Sequence, residues 1–273
     1  MITRITTGIG MFLLIFLPGV LFSHTFVLPL ICGLLSTVGV YEILKCFKLY
    51  DKKSILIPSM TLGLMLPLID RYTFLENGLY AVALLVVFYF LYMFTLPVFT
   101  NNKISIDEIS KAAIMTCYIS IGFLCVVLMR DLENGQYLFF VVFLGACITD
   151  IFAYFTGMLF GRHKLSPIIS PKKTIEGSIG GTVFCTLSFI LYAFIINSYF
   201  SLEANYLVFA ILGFITSIVS QIGDLTASAI KRKYDTKDYG SIFPGHGGVL
   251  DRFDSIIAVA SVLYLLCFLL SRQ

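Results

Sequence analysis

Long apolar runs alternate with short polar connections along almost the whole chain. A helix that crosses a bilayer needs about 20 mostly apolar residues. The longest polar stretch follows Ile230, and no connection is long enough to form a soluble domain. The pattern predicts nine membrane-spanning helices, at Gly8–Phe22, Phe26–Leu44, Ser54–Leu68, Gly78–Phe99, Ile109–Met129, Tyr137–Phe160, Ile175–Asn197, Tyr206–Ile230 and Ser255–Leu270.

The composition supports the same fold class. The chain is 58% apolar and 13% charged, whereas a soluble globular domain carries roughly 25% charged residues. We therefore expect an all-α, polytopic helical bundle in a membrane. The first and third apolar runs are short, so tilted pairs, re-entrant segments and totals of eight or ten spans remain open alternatives. The seven Cys form no C-x-x-C motif, which indicates neither a disulfide framework nor a zinc site.

The basic residues predict the orientation of the bundle. If the N-terminus is cytoplasmic, all but three of the nineteen Lys and Arg lie on the cytoplasmic side; the exceptions are Arg71, Arg130 and Arg272. Cytoplasmic loops carry an excess of Lys and Arg. The distribution predicts an N-in, C-out topology, and it places the polar region Ser228–Ser255 on the cytoplasmic face, where nucleotides are.

The eighth predicted span carries a polar stripe. Ser217, Gln221, Asp224 and Ser228 are spaced i, i+4, i+7 and i+11, which puts them on one face of a helix. Gly223 would permit close approach of another group beside Asp224. A carboxylate inside the membrane edge needs a cation or a metal. The alternative is a hydrogen bond from Asp224 to a neighbouring Ser or Tyr.

Two further acids stand at the start of the ninth predicted span. Asp251 and Asp254 are spaced i, i+3 and share one helix face, although acids in a first turn are also ordinary partners of the helix dipole. Helices joined by one loop are usually neighbours, so we expect Asp224, Asp251 and Asp254 to converge. Mg²⁺ takes carboxylates together with substrate phosphates and water. The three acids are therefore predicted ligands for one or two metal ions.

The loop between these helices is basic and rich in glycine. Its cations suit a polyphosphate, with Arg offering two parallel hydrogen bonds, although the positive-inside rule alone would also explain Lys231, Arg232, Lys233 and Lys237. Glycines such as Gly247 and Gly248 let backbone N–H groups approach an anion. His246 is a candidate phosphate contact or acid; the alternative is a simple turn residue.

A second polar patch follows the sixth predicted span. Lys172 and Lys173 precede the seventh span, and a helix N-terminus with two lysines is a good anion site. Ser170, Thr174 and Glu176 are candidates to cap that helix and orient the lysines. Asp150 lies on the sixth span, on the same predicted membrane face.

Several runs of this sequence resemble a known family. They are Phe160-Gly-Arg-His-Lys-Leu165, Ser170-Pro-Lys-Lys-Thr-Ile-Glu-Gly177, Ser228-Ala-Ile-Lys-Arg, Lys237-Asp-Tyr-Gly and Phe243-Pro-Gly-His-Gly-Gly-Val-Leu-Asp-Arg-Phe-Asp254. From Asp150 onward the chain resembles phosphatidate cytidylyltransferases, also called CDP-diacylglycerol synthases. The N-terminal half matches them only in general hydropathy. One departure is Phe152, where the family often has a small residue.

The resemblance implies a dimeric membrane enzyme that uses CTP, phosphatidic acid and Mg²⁺, with K⁺ as a second metal. Carried over by motif, Asp224 and Asp251 are metal ligands and Asp254 supports them. With the reasoning above, the predicted catalytic residues are Asp224, Asp251, Asp254, Lys237 and His246. The predicted phosphate-binding residues are Lys172, Lys173, Ser228, Lys231, Arg232, Lys237, Gly247, Gly248 and Arg252.

The sequence also predicts how the chain is divided into regions and where in the cell it lies. Residues 1–135 are predicted to be a transmembrane scaffold with dimer or lipid contacts, and residues 136–273 a transmembrane catalytic region. We expect an integral protein of a bacterial inner membrane, with its active site on the cytoplasmic face and no nucleic-acid partner.

Two other functions compete with this interpretation. In a secondary transporter, Asp150 and Asp224 would bind protons or cations, but the acids are predicted at one membrane face rather than the midplane, and no inverted repeat is seen. A CTP-dependent lipid kinase would transfer the γ-phosphate instead. A CDP-alcohol phosphotransferase would need a D-G-x-x-A-R motif, which this chain lacks.

Overall fold

The structure is a computed structural model that describes residues 17–72 and 78–271. Within these ranges the chain forms nine α-helices and one antiparallel pair of short strands. In chain order the elements are α1 (Leu17–Leu21), α2 (Val27–Cys46), α3 (Lys53–Tyr72), α4 (Gly78–Phe99), α5 (Ile106–Asp131), α6 (Gly135–Phe160), β1 (Lys164–Ser166), β2 (Ser170–Thr174), α7 (Ile175–Phe200), α8 (Tyr206–Lys233) and α9 (Leu250–Leu270).

Seven of the helices in the described ranges are long and apolar enough to cross a membrane, namely α2, α4, α5, α6, α7, α8 and α9. The apolar part of α3, Lys53–Ile69, is shorter. The predicted all-α, polytopic membrane fold is confirmed, while the number of spans and their orientation stay predictions. The predicted span Gly8–Phe22 lies outside the described residues except for its end, where α1 runs, and Arg4 and Arg272 lie outside them as well.

The main differences from the predicted elements fall in the C-terminal half. Helix α9 begins at Leu250, five residues before the predicted start at Ser255, so Asp251 and Asp254 lie within its first turns. The polar connection after α6 is not an irregular loop but the β1–β2 hairpin, in which Lys164 pairs with Thr174 and Ser166 with Ser170. The hydropathy pattern could not predict either feature, because both depend on hydrogen bonds rather than on apolar surface.

The chain divides into two compact units. The first contains Met1–Leu128 and Thr236–Phe253, and the second contains Met129–Asp235 and Asp254–Gln273. The glycine-rich segment belongs to the first unit, and the predicted division into residues 1–135 and 136–273 stays a prediction. The functional roles predicted for the two halves stay predictions.

In the first unit, α2 packs against α1 and α3, and α3 packs against α4. Apolar side chains such as Ile43 and Leu66 are fully buried. The C-terminal segment joins this core, since the rings of Phe123 and Phe253 lie 5.7 Å apart. Between helices in a bilayer, close van der Waals packing of such side chains is a main source of attraction, because lipid tails are as apolar as the side chains themselves.

In the second unit, α7 packs against both α6 and α8, and the hairpin rests on these helices. Phe152 of α6 stacks on Phe184 of α7, with ring centroids 4.2 Å apart. The aromatic residue that departs from the family pattern thus fills space between two neighbouring helices. The hairpin, whose second strand carries Lys172 and Lys173, also contacts α8.

Candidate active site

The second unit gathers three acids from three helices. Asp150 of α6, Asp224 of α8 and Asp254 of α9 lie close enough for their charges to interact. Gly223 permits this approach, because a Cβ placed there would lie 2.8 Å from the Cβ of Ala258 and 3.3 Å from the carbonyl oxygen of Asp254. The predicted close approach of another group at Gly223 is confirmed.

Two lysines face these acids. The Lys173 ammonium forms an ion pair with the Asp224 carboxylate. It also interacts electrostatically with the Asp150 carboxylate. Lys231 interacts with Asp254. We call these five side chains the acid cluster; with all of them ionised, it carries one more negative than positive charge. Excess negative charge at the edge of apolar helices is stabilised by a further cation.

The hairpin explains how Lys173 reaches α8. The Thr174 hydroxyl accepts a hydrogen bond of 3.1 Å from the Gly177 N–H, so Thr174 is the predicted N-cap of α7. Arg232 of α8 donates from Nε to the Ile169 carbonyl at 3.3 Å and holds the hairpin tip. These contacts fix β2 at both ends, which leaves the Lys173 side chain directed at Asp224.

Glu176 has a different role from the predicted cap of its own helix. Its carboxylate accepts hydrogen bonds from the backbone N–H of Arg162 at 3.1 Å and of His163 at 3.2 Å. It also lies 2.7 Å from His163 Nδ1. Glu176 thereby orders the connection from α6 into β1, so the exposed motif around His163 is a structural support for the hairpin.

The polar stripe of α8 serves two purposes. Ser217 donates to Thr182 Oγ1 at 3.1 Å, and Gln221 Nε2 donates to the same oxygen at 3.2 Å. The Ser178 hydroxyl donates to the Gln221 side-chain oxygen. Half of the stripe therefore binds α7. The other half remains at the acid cluster, where the Ser228 hydroxyl lies 3.5 Å from Asp224 Oδ1.

In the first unit, the segment between α8 and α9 forms a cavity of about 580 Å³. Its backbone turns sharply, with φ of 77° at Gly245 and 84° at Gly247, a conformation that only glycine adopts easily. Among the described residues, the buried His246 Nδ1 has no hydrogen-bond partner. The residues lining the cavity are Lys237, Asp238, Gly240, Ser241, Phe243, Pro244, Gly245, His246, Gly247 and Arg252.

The cavity has the chemistry of an anion site. Lys237 and Arg252 supply positive charge, and charge-assisted hydrogen bonds are the strong ones for phosphate. Arg252 Nε donates to the His246 carbonyl at 2.6 Å, which ties the first turn of α9 to the loop. Four predicted residues are therefore brought together here: Lys237, His246, Gly247 and Arg252.

Asp251 accepts hydrogen bonds from the backbone of the glycine-rich segment. Asp251 Oδ2 accepts the Gly248 N–H at 2.9 Å and the Tyr239 N–H at 2.8 Å. Asp251 belongs to the first unit, whereas Asp224 and Asp254 belong to the second, and the predicted convergence of all three stays a prediction. In the part of the chain that the structure describes, no three His, Cys, Asp or Glu form a group that could hold a metal by themselves.

Glu42 is the residue that sequence reasoning missed. Its side chain is buried at 2% exposure, and its carboxylate accepts the backbone N–H groups of Val249 and Leu250. The available signal was a single acid inside the apolar run Phe26–Leu44, because an ionisable residue in such a run is a candidate for function by default.

Comparison with known proteins gives one consistent answer. The model of the cytidylyltransferase family matches residues 2–270 of the chain. A phosphatidate cytidylyltransferase of Bacillus subtilis strain 168 is 35% identical over 274 residues, covering 93% of this chain and 97% of the relative. Enzymes of the same name from Staphylococcus epidermidis RP62A and Staphylococcus haemolyticus JCSC1435 are 34% and 35% identical, each covering 93% of this chain and 94% of the relative. The chain belongs to the cytidylyltransferase family.

Proposed function

We propose that this membrane protein transfers the cytidylyl group of CTP to phosphatidic acid, giving CDP-diacylglycerol and pyrophosphate for phospholipid synthesis. Family membership over nearly the whole chain carries the proposal, together with relatives of that name that align over almost their full length. The acid cluster and the cationic cavity supply the charges that a reaction between two phosphate compounds needs.

In the proposed reaction, a phosphate oxygen of phosphatidic acid attacks the α-phosphorus of CTP. A new P–O bond forms there, the bond to the bridging oxygen breaks, and pyrophosphate leaves in line. The nucleophile is already anionic, so the reaction needs no strong protein base. The main barrier is the repulsion between two anions, and preorganised cations reduce it.

Different residues are assigned to different substrate phosphates. We assign Lys237, Arg252 and the loop around His246 to the CTP phosphates, because they line one cavity. We assign Lys173 and Lys231 to the phosphates that come close to the acid cluster, with exposed Lys172 and Arg232 and half-buried Ser228 at its edge. Phosphatidic acid would reach this site from the bilayer, and CTP from the aqueous phase.

The donor set of the acid cluster fits Mg²⁺. Carboxylate oxygens are the hard ligands that this ion prefers, and it usually takes one or two of them together with substrate phosphates. Asp224 and Asp254 would hold it, with Asp251 as the further predicted ligand and K⁺ as the proposed second metal. When bound, Mg²⁺ would neutralise phosphate charge and so lower the repulsion between the substrates.

The setting of the enzyme completes the proposal. We infer an active site on the cytoplasmic face of a bacterial inner membrane, because the basic connections mark that side by the positive-inside rule. We also propose a homodimer, as the family resemblance implies. Light scattering of the detergent-solubilised protein, with detergent mass subtracted, tests the dimer: a monomer mass would contradict it.

Two labels on CTP test the reaction and its competitors at once. Purified protein is incubated with phosphatidic acid, Mg²⁺ and CTP labelled at either the α- or the γ-phosphate. Cytidylyl transfer puts the α-label into lipid and the γ-label into pyrophosphate. A lipid kinase would put the γ-label into lipid. Uptake of intact CTP into proteoliposomes without labelled lipid would favour a transporter.

A further inference from the structure

Glu42 sits in an apolar helix, where each of its two carboxylate oxygens accepts a backbone hydrogen bond. Its Oε1 accepts the Val249 N–H at 3.0 Å, and its Oε2 accepts the Leu250 N–H at 2.9 Å. The first N–H groups of a helix have no partner within that helix. Glu42 of α2 therefore caps the N-terminus of α9 from a different part of the chain, and these hydrogen bonds offset the cost of burying its carboxylate.

The glycine-rich segment fits closely against the same carboxylate. A Cβ at Gly240 or at Gly248 would overlap the Glu42 side chain, so the backbone passes it at the two points where no side chain intervenes. Asp251 binds the same segment by accepting the N–H groups of Tyr239 and Gly248. We call Glu42 and Asp251 the carboxylate clamp, because together they hold residues 239–250.

The carboxylate clamp holds the backbone that carries His246 and Arg252, two of the residues that line the cavity. His246 lies inside the clamped segment, and Arg252 follows Asp251 directly and donates to the His246 carbonyl. Glu42 itself does not line the cavity. Its effect on any bound nucleotide must therefore pass through the backbone that it holds.

We propose that Glu42 is a positioning residue for cytidylyl transfer, which fixes the glycine-rich segment and the first turn of α9 so that His246 and Arg252 meet the CTP phosphates. This inference rests on the proposed function. It adds a residue from the N-terminal half of the chain, where the family resemblance offered only general hydropathy.

The kinetic test compares three full-length variants in detergent. Glu42→Gln replaces one acceptor oxygen by an NH₂ group that faces a backbone N–H, and Glu42→Asp keeps the charge but shortens the side chain. Glu108→Gln is the matched control, because Glu108 is an acid of the same unit whose hydrogen bonds go to Lys52 and Ser105. A displacement of about 1 Å in a positioned group can cost roughly 100-fold in rate.

A positioning role and a general folding role predict different kinetics. If Glu42 positions the segment, kcat/KM for CTP falls by about 10- to 100-fold in Glu42→Gln, while KM for phosphatidic acid stays within twofold and Glu42→Asp recovers part of the loss. Glu108→Gln keeps the wild-type values. A kcat/KM for CTP within twofold of wild type in folded Glu42→Gln would overturn the proposal.

Hydrogen–deuterium exchange gives a second measurement that does not depend on activity. The proposal predicts faster exchange in Glu42→Gln confined to residues 239–250. Unchanged exchange there, a uniform rise over all helices, or loss of folded protein in both Glu42 variants would overturn it. If the wild type makes no CDP-diacylglycerol, the proposed function fails, and the exchange comparison alone then shows whether Glu42 holds the segment.

Discussion

Lys173 of β2 forms an ion pair with Asp224 of α8, which joins the two polar patches that the sequence placed on one membrane face. We expect Lys173→Ala to leave the acid cluster with too little positive charge and to lower kcat/KM by about 100-fold, the usual effect of removing one electrostatic group from a catalytic site. Initial rates of CDP-diacylglycerol formation measure the change.

Lys164 provides the control for this substitution. It is an exposed lysine of the same hairpin, and Lys164→Ala should leave the rate unchanged. Lys173→Arg keeps the charge and should recover part of the lost rate. Equal losses from Lys164→Ala and Lys173→Ala would contradict a specific role for the ion pair.

The acids Asp224 and Asp254 are expected to be essential for turnover but not for folding. Asp224→Asn and Asp254→Asn should each lower the rate by about 100-fold or more, while elution on size exclusion stays as in the wild type. Glu203→Gln, at an exposed acid between α7 and α8, is the control. Full activity in Asp224→Asn would remove the proposed metal site.

Mg²⁺ should be required for activity and should bind at the acid cluster. Removal of divalent ions with EDTA is expected to abolish product formation, and added Mg²⁺ to restore it. Because a ligand that binds only the folded state raises its stability, Mg²⁺ should also raise the Tm of the wild type. The same rise in an Asp224→Asn, Asp254→Asn double variant would place the ion elsewhere.

Asp251 should differ from Asp224, because its carboxylate also accepts hydrogen bonds from backbone N–H groups. Its Oδ2 accepts two N–H groups, and an amide in its place either loses an acceptor or presents a donor to them. We expect Asp251→Asn to lose activity and also to lower the free energy of unfolding by about 1–3 kcal/mol. Denaturant unfolding beside Asp224→Asn checks this, since a similar stability in both variants would contradict it.

Gly248→Ala should destabilise the loop by crowding Glu42. The added methyl would overlap the buried carboxylate, and overpacking of this kind typically costs about 1–3 kcal/mol. Gly19→Ala is the control, because its Cβ would meet side-chain atoms only at 3.7 and 3.9 Å. A lower Tm for Gly19→Ala than for Gly248→Ala would argue against the crowding.

Apolar periodicity was enough to predict the helical bundle. The predicted bounds of Gly78–Phe99 agree with α4 at both ends, because the apolar run stops where the helix stops. The start of α9 was placed five residues too late, since its first turn is polar and is stabilised by Glu42 rather than by lipid. Hydropathy does not register a helix turn that depends on a distant carboxylate.

The sequence was enough to predict which residue types form the candidate site, but not which residues contact one another. Helical spacing correctly put Ser217 and Gln221 on one face, yet it could not show that this face binds α7. The pairing of Lys173 with Asp224 needed the β1–β2 hairpin, whose two short strands leave no alternating pattern long enough to detect. Contacts between residues distant in the chain are the part that one sequence does not contain.

The hydrogen bonds among Ser178, Thr182, Ser217 and Gln221 also fix the rotation of α8 about its own axis relative to α7. A slip of α8 by one residue would turn its side chains by about 100° and would carry Asp224 away from Lys173. It would also strand several polar groups among apolar neighbours, which is costly in a bilayer. Rotation of α8 about its axis is therefore coupled to α7 through these hydrogen bonds.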